Sequence, residues 1–346
     1  MKDLAVATVV AKNYLSFARV LAQSFLRHHP DIPLFVLLSD EVDGYFDPGA
    51  EPFRLLRLAD VGIPDLPRIR FRSDRKQLAI ASKPHLLSHL LDRGFGSVVF
   101  LDPDILVLSD LEELFARVRR HAIVLMPHLL APLSGQGSVE RELNILQSGV
   151  YNGGFVGVSA GWTARAFLTW WGERVYAHCR HDVANGVYFD QRWLDLAPVF
   201  FPGLHVLRDP SYNVAHWNLP ERSISITETS VTTDGRPCRF FHFSGFDPDD
   251  GHAVTRYSLR LNLSNVGPAA ELFRRYRRLL ESAGHGETKA WPYAYGSFDN
   301  GIPVPDAARR AYRELGEAAG RFGNPFETAA PDSFFHWLRR RGALRS

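Results

Sequence analysis

This sequence predicts an α/β fold: a mixed, mostly parallel central sheet flanked by helices, with a helical extension at the C-terminal end. Three observations predict it. Short apolar runs rich in β-branched residues alternate with helix-period segments in the N-terminal half. One of these runs ends abruptly in two aspartates, as strands do beside ligand sites in open α/β sheets. After about residue 265 the pattern turns helical, beginning with an Arg-rich amphipathic stretch at 268–282.

Residues 4–11 (LAVATVVA) read as a buried parallel strand. Leu15, Ala18, Leu21, Ala22 and Phe25 then recur at helical spacing over 14–28, and the helix stops before Pro30. Residues 33–39 form a second buried strand, and 53–58 suggest a third. A helix is expected over 82–91 and a strand over 97–101, running straight into Asp102-Pro103-Asp104. Helix 111–119, strand 122–126, strand 155–158, helix 162–178, a short helix at 189–196 and a late strand at 239–243 follow. The expected division is a catalytic domain over 1–265 and a mainly helical extension over 266–346. Residues 127–148, with Gly135 and Gly137, read as an acceptor-side loop or lid.

With 346 residues, 45% hydrophobic and 23% charged, the chain can bury a large core. A net charge of +2 provides no field for nucleic acid. Cys179 and Cys238 alone make neither a disulfide framework nor a zinc pattern. No signal-peptide pattern and no window near 18 uninterrupted apolar residues occurs, so the expected location is the cytoplasm, with peripheral contact at the inner membrane face left open. The stretch 334–341 (FFHWLRRR) could dock on an anionic membrane, but a helix with its apolar face packed is favoured.

The chemistry concentrates in a few places. Asp102 and Asp104, one residue apart at a strand end, can both reach one hard cation, Mg²⁺ or Mn²⁺, which in turn bridges phosphates. Tyr151-Asn152-Gly153-Gly154 is a sharp turn open to close ligand approach. Asp190-Gln191 puts a carboxylate beside an amide. His242, in FFHFSGF, could complete a metal site. Each has a plainer alternative: a strand end, a turn, a helix cap, a core histidine.

Taken in order, these motifs resemble glycosyltransferase family 8 and its bacterial relatives. Asn13-Tyr14, Lys83, Leu101-Asp102-Pro103-Asp104, Asn152-Gly153-Gly154, Asp190-Gln191 and His242-Phe243-Ser244-Gly245 match that family's sequence of motifs across residues 4–246. The segment 209–218 (DPSYNVAHWN) matches a bacterial subgroup more loosely. The resemblance implies a GT-A fold, which is Rossmann-like, and a retaining, metal-dependent transfer of sugar from a nucleotide-sugar to a glycan, glycolipid or protein acceptor, such as a bacterial surface polysaccharide. It implies that Asp102, Asp104 and His242 hold Mn²⁺ or Mg²⁺, and that Asn13 and Tyr14 face the base and ribose. Lys83, Asp102, Asn152, Gly153 and Gly245 would line the donor, while Asp190 and Gln191 would sit at the reacting sugar, Gln191 nearest the anomeric carbon. Departure and attack through an ion pair is the expected course, with Asp190 as covalent nucleophile the competing one.

Two departures bear on the donor. The family's acidic residue before Asn-Tyr is replaced by Ala11-Lys12, so UDP is the default nucleotide with GDP and dTDP as alternatives. The family's Lys-Pro-Trp after HFxG is replaced by Phe246-Asp247-Pro248, leaving Arg256 or Arg260 to meet the diphosphate. Rival readings are a haloacid-dehalogenase-like phosphatase using Asp102 as nucleophile, and a non-catalytic nucleotide-sugar-binding protein.

Overall fold

The structure is a computed structural model and describes residues 2–344. In chain order its elements begin with β1 (Lys2–Val10), α1 (Leu15–His28), β2 (Leu34–Leu38), β3 (Arg54–Arg57), α2 (Leu66–Arg72), α3 (Arg75–Ala81) and α4 (Lys83–Asp92). Then come β4 (Phe95–Leu101), β5 (Ile105–Val107), α5 (Glu112–Arg120), β6 (Ile123–Leu125), α6 (Ser138–Ser148), β7 (Phe155–Ser159) and α7 (Trp162–His178). A small hairpin, β8 (His181–Asp182) and β9 (Val187–Tyr188), precedes α8 (Ala197–Phe200) and β10 (Leu204–Val206). β11 (Ile224–Ile226), β12 (Val231–Thr233) and β13 (Arg236–Pro237) form a separate three-stranded sheet, and β14 (Phe240–His242) pairs with β5. The C-terminal region is helical: α9 (Ala269–Ser282), α10 (His285–Thr288), α11 (Asp306–Glu314) and α12 (Phe334–Arg340).

The central sheet has seven strands in the order β10-β6-β7-β4-β1-β2-β3. Only β7 runs against its neighbours; every other pairing is parallel. The expected mixed, mostly parallel sheet with flanking helices is therefore present. Strand alternation explains its two-sided burial. Ala5, Ala7 and Val9 of β1 join Val98 and Phe100 in a core with α4 and α7, while Leu4, Val6 and Val10 join Val99 and Leu101 in a core with α1 and α5.

Two pairings aim the sheet at a site. β1 and β4 are parallel, with Ala7 opposite Phe100, so residues 11–14 and 102–104 leave the sheet at the same end. β5, absent from the sequence reading, pairs antiparallel with β14 and sets His242 opposite Ile105. The Phe243 backbone N–H donates to the Asp104 carbonyl at 2.8 Å, which locks that register.

The lid segment also differs from expectation. Residues 138–148 form helix α6 and not a loop, because SVERELNILQS is rich in helix formers once past Gly137. None of its residues is buried, so it stands as a free wall.

The C-terminal helices are bound into the N-terminal α/β part. Tyr276 of α9 stacks on Phe243 with ring centroids 3.8 Å apart. Arg309 of α11 is 4% exposed, and its guanidinium donates to the carbonyls of Phe71, Ser73 and Tyr295. In α12, Phe334, Phe335 and Leu338 are buried against Phe71, Tyr312 and Phe298, with the arginines outside, as favoured for this stretch. Leu338→Ala should therefore cost about 3 kcal/mol in chemical denaturation. An unchanged midpoint would mean that α12 does not pack as described. No helix among the described residues is long and apolar enough to cross a membrane.

Candidate active site

A cleft of about 1060 Å³ opens at the C-terminal ends of β1 and β4, walled on one side by α6. At its floor the ligand atoms of Asp102, Asp104 and His242 all lie within 4.8 Å of one another. Nε2 of His242 is 3.0 Å from Oδ1 of Asp104 and 3.8 Å from Oδ2 of Asp102. The 3.0 Å pair is not aligned for a hydrogen bond, and neither atom has another partner. Two ligands bonded at about 2.1 Å and at right angles around an octahedral ion are about 3 Å apart, so the orphaned atoms have the spacing a small divalent cation requires. The two carboxylates suit Mg²⁺ or Mn²⁺ in kind, and the imidazole favours the softer Mn²⁺ of the two.

Nδ1 of His242 lies 3.3 Å from Oδ1 of Asn213. A proton on Nδ1, donated to that oxygen, would leave the Nε2 lone pair facing the aspartates for a metal ion. The Trp217 ring stands edge-on to the imidazole at 5.2 Å. Burial opposes charge on both His242 and Asp104, but their mutual attraction wins: His242 is raised and Asp104 lowered from their ordinary values.

The YNGG turn explains itself here. A Cβ on Gly154 would fall 2.4 Å from Cε1 of His242, 2.8 Å from Oδ1 of Asn152 and 2.9 Å from Oδ2 of Asp102. The backbone N–H of Asp102 donates to the Gly154 carbonyl at 2.8 Å, which brings the turn that close. Gly153 is tight as well, with Oδ2 of Asp190 3.1 Å from where its Cβ would be.

Lys83 is 5% exposed and held on three sides by the protein. Its ammonium lies 3.1 Å from Asp102, 3.1 Å from Asp190 and 3.0 Å from the Gly153 carbonyl. Burial favours its neutral form, but the two carboxylates outweigh burial and raise its pKa. Asp190, 4% exposed, is raised because its own burial exceeds what Lys83 gives back. The residue before it, Phe189, has φ of 46°, an outlier for a bulky side chain, and the Nζ of Lys76 lies 4.3 Å over its ring.

Gln191 is fully engaged. Its Oε1 accepts from Gly153 N–H at 3.0 Å and from Asn152 Nδ2 at 3.3 Å, while Nε2 donates to the Ser148 carbonyl at 2.9 Å. Asn152 Nδ2 also reaches Nε2 of His128 at 3.2 Å, and the Nδ1 of His128 bonds to the Val150 carbonyl. Burial lowers His128 to about 4 and the neighbouring His216 to about 3, so both are neutral.

At the other end, Asn13 and Tyr14 form a 3₁₀ turn directly after β1, and both line the cleft. Oδ1 of Asn13 is buried with no partner, and Tyr14 stacks on Phe17 at 4.4 Å. Lys12 turns away from the cleft; fully buried, it bonds Asp43 at 2.5 Å. Arg256 and Arg260 both line the cleft. Arg256 lies beside Tyr14 and Tyr257, whereas Arg260 lies against Gly137 at the start of α6. Gly245, with φ of 72°, leaves no room for a side chain beside the Tyr257 ring.

The candidate metal, donor and reacting-sugar residues from the sequence thus all line or floor one cleft. Asn213, Trp217, His128 and His216 were missed. Asn213, at φ 52° inside the DPSYNVAHWN segment, was the readable one, since asparagine tolerates the left-handed region that such tight polar loops use.

No protein-family model matches the chain. Among curated proteins it is similar to YfnF of Bacillus subtilis, itself uncharacterized, at 27% identity over 70% of this chain and 81% of that one. It is also similar to YfnD of the same organism, likewise uncharacterized, at 25% over 69% and 77%. Among solved structures, the galactosyltransferase LgtC with donor and acceptor sugar analogs overlaps 81% of this chain and 95% of its own, at 16% identity and a TM-score of 0.44. The glycosyltransferase GlyE of Streptococcus pneumoniae overlaps 86% and 67%, at 14% identity and a TM-score of 0.48.

Proposed function

We propose that this chain is a divalent-metal-dependent glycosyltransferase, moving a sugar from a nucleotide-sugar to a glycan, glycolipid or protein acceptor. The observation that carries the reading is the Asp102–Asp104–His242 cluster, whose orphaned ligand atoms open on a cleft already lined by the whole motif series. These three residues would hold Mn²⁺ or Mg²⁺. A divalent ion there would offset the charge developing on a departing nucleoside diphosphate. Asn13, with its free acceptor, and Tyr14 would meet the base and ribose, and UDP is the default base.

Asn152, Gly153, Asp190 and Gln191 would surround the donor sugar. The proposed course is retention through departure and same-face attack. Gln191 would serve that course as a fixed dipole; its amide oxygen accepts two hydrogen bonds. Lys83, buried and ion-paired to both aspartates, would act on the donor indirectly, by fixing Asp102 against Asp190. Arg256, next to Tyr14, is the better placed of the two candidate arginines for the diphosphate.

Thermal shift with UDP-, GDP- and dTDP-sugars, each with Mn²⁺ and with EDTA, tests this directly, since a ligand of the folded state raises Tm by mass action. One nucleotide class should stabilise the wild type only with metal, and Asp104→Asn should lose that response while melting normally. If no nucleotide-sugar shifts Tm and sugar phosphates are hydrolysed without a second substrate, the phosphatase reading replaces this one.

A further inference from the structure

A second cavity, of about 290 Å³, opens beside the edge strand β10 and shares no lining residue with the cleft. Three of its walls carry guanidiniums, Arg117 from α5, Arg208 just past β10 and Arg236 from the small sheet; His205 of β10 also lines it, and burial with the nearby His121 and Arg117 lowers its pKa and keeps it neutral. Its fifth notable wall is Tyr212, which is 3% exposed and whose buried hydroxyl has no hydrogen-bond partner. The Tyr212 ring is fixed edge-on against Phe240 at 5.9 Å. Its phenol lies in the field of Glu113 and Asp209, which line the same cavity.

Both of those carboxylates are already engaged. Asp209 accepts from the backbone and side chain of Ser211, at 2.9 and 2.7 Å, and Glu113 lies 3.7 Å from Arg239. Arg236 is only loosely paired, 4.0 Å from Asp209. Arg117 and Arg208 are exposed and have no ion-pair partner among the described residues. Two unpaired guanidiniums and an unsatisfied buried hydroxyl at one small cavity make an arrangement short of an anion. Guanidinium forks match the oxygens of a phosphate, and a buried donor left unmade is costly until a ligand accepts from it. The volume sits at the small end of ligand pockets, which suits a phosphate on a body no larger than a monosaccharide and excludes a nucleotide-sugar.

We propose that this cavity binds a phosphate dianion, free or as a small phosphate monoester, with Arg117 and Arg208 supplying the charge and the Tyr212 hydroxyl a buried hydrogen bond. The site is independent of the donor cleft and of the function proposed for it.

Calorimetric titration of the full chain in EDTA, with inorganic phosphate, glucose 1-phosphate and unphosphorylated glucose, tests it. Both phosphates should bind and glucose should not. Tighter binding of the ester assigns the site to monoesters, and equal binding assigns it to free phosphate. Arg117→Gln, Arg208→Gln and Tyr212→Phe should each weaken binding about tenfold or more, while Asp104→Asn leaves it unchanged. Tyr212→Phe keeps the ring packing, so its Tm should hold and separate a lost contact from a lost fold. Absence of binding at millimolar phosphate would overturn the proposal. So would binding that survives the Arg117→Gln/Arg208→Gln pair, or that disappears in Asp104→Asn.

Discussion

Gly154→Ala is expected to reduce sugar transfer by at least about a hundredfold while the folded chain keeps a near-normal Tm. Gly154 has no positive φ, so alanine meets no backbone strain there. The whole effect comes from what the added methyl would touch: the His242 ring at 2.4 Å, the Asn152 amide at 2.8 Å and an Asp102 oxygen at 2.9 Å. None of these is the loose end of a flexible chain. His242 is wedged between Asn213 and Trp217, and Asn152 is tied to His128 and Gln191. Relief therefore requires a shift of roughly an ångström in a candidate metal ligand, and errors of that size in positioning cost about two orders of magnitude in rate. The measurement is kcat/KM for the donor at saturating Mn²⁺, beside the Mn²⁺ affinity of the same variant. Wild-type values for both would mean that the cluster does not work as a unit.

The contrast between Gly154 and Asn213 shows what the sequence could and could not reveal. The strands ending at Val10 and Leu101 were legible because buried parallel strands leave unbroken apolar runs, and Lys12-Asn13 after the first and Asp102 after the second break those runs sharply. The motif residues could be placed on strand ends and turns for the same reason. The short strand β5 was not legible: three residues carry no period, and its existence depends on β14, more than 130 positions away. α6 was hidden by the glycines and prolines before it. Asn213 could be suspected but not placed, since its role depends on a tertiary contact to His242. Lys83 lines the cleft with the other motif residues, but no local pattern could say that Asp102, Asp190 and a carbonyl would close around its ammonium.

That buried ion-pair cluster leads to the second large effect. Lys83→Met should destabilise the chain by about 3–5 kcal/mol at neutral pH, as removal of one partner from a buried charge cluster does. Methionine fills similar space, so little of the loss should come from a cavity; it comes from Asp102 and Asp190 facing each other with no cation between them. Asp190 already has a raised pKa with Lys83 present, because its burial outweighs the lysine's attraction and Asp102 repels it. Without Lys83, burial and Asp102 push it further up, against only a weaker backbone hydrogen bond. The sign of the pH dependence follows. A carboxyl whose folded pKa lies above its unfolded value of about 3.9 favours the folded state when protonated. The penalty is therefore full above the raised folded value and fades as pH falls through it towards the unfolded one. Urea unfolding of wild type and Lys83→Met at pH 7.5 and pH 5 should show the gap narrowing at the lower pH, and Lys83→Met/Asp190→Asn should recover much of it at both. A gap that is equal at the two pH values and untouched by Asp190→Asn would assign the loss to packing, and Lys83 would no longer be the group that holds the two aspartates together.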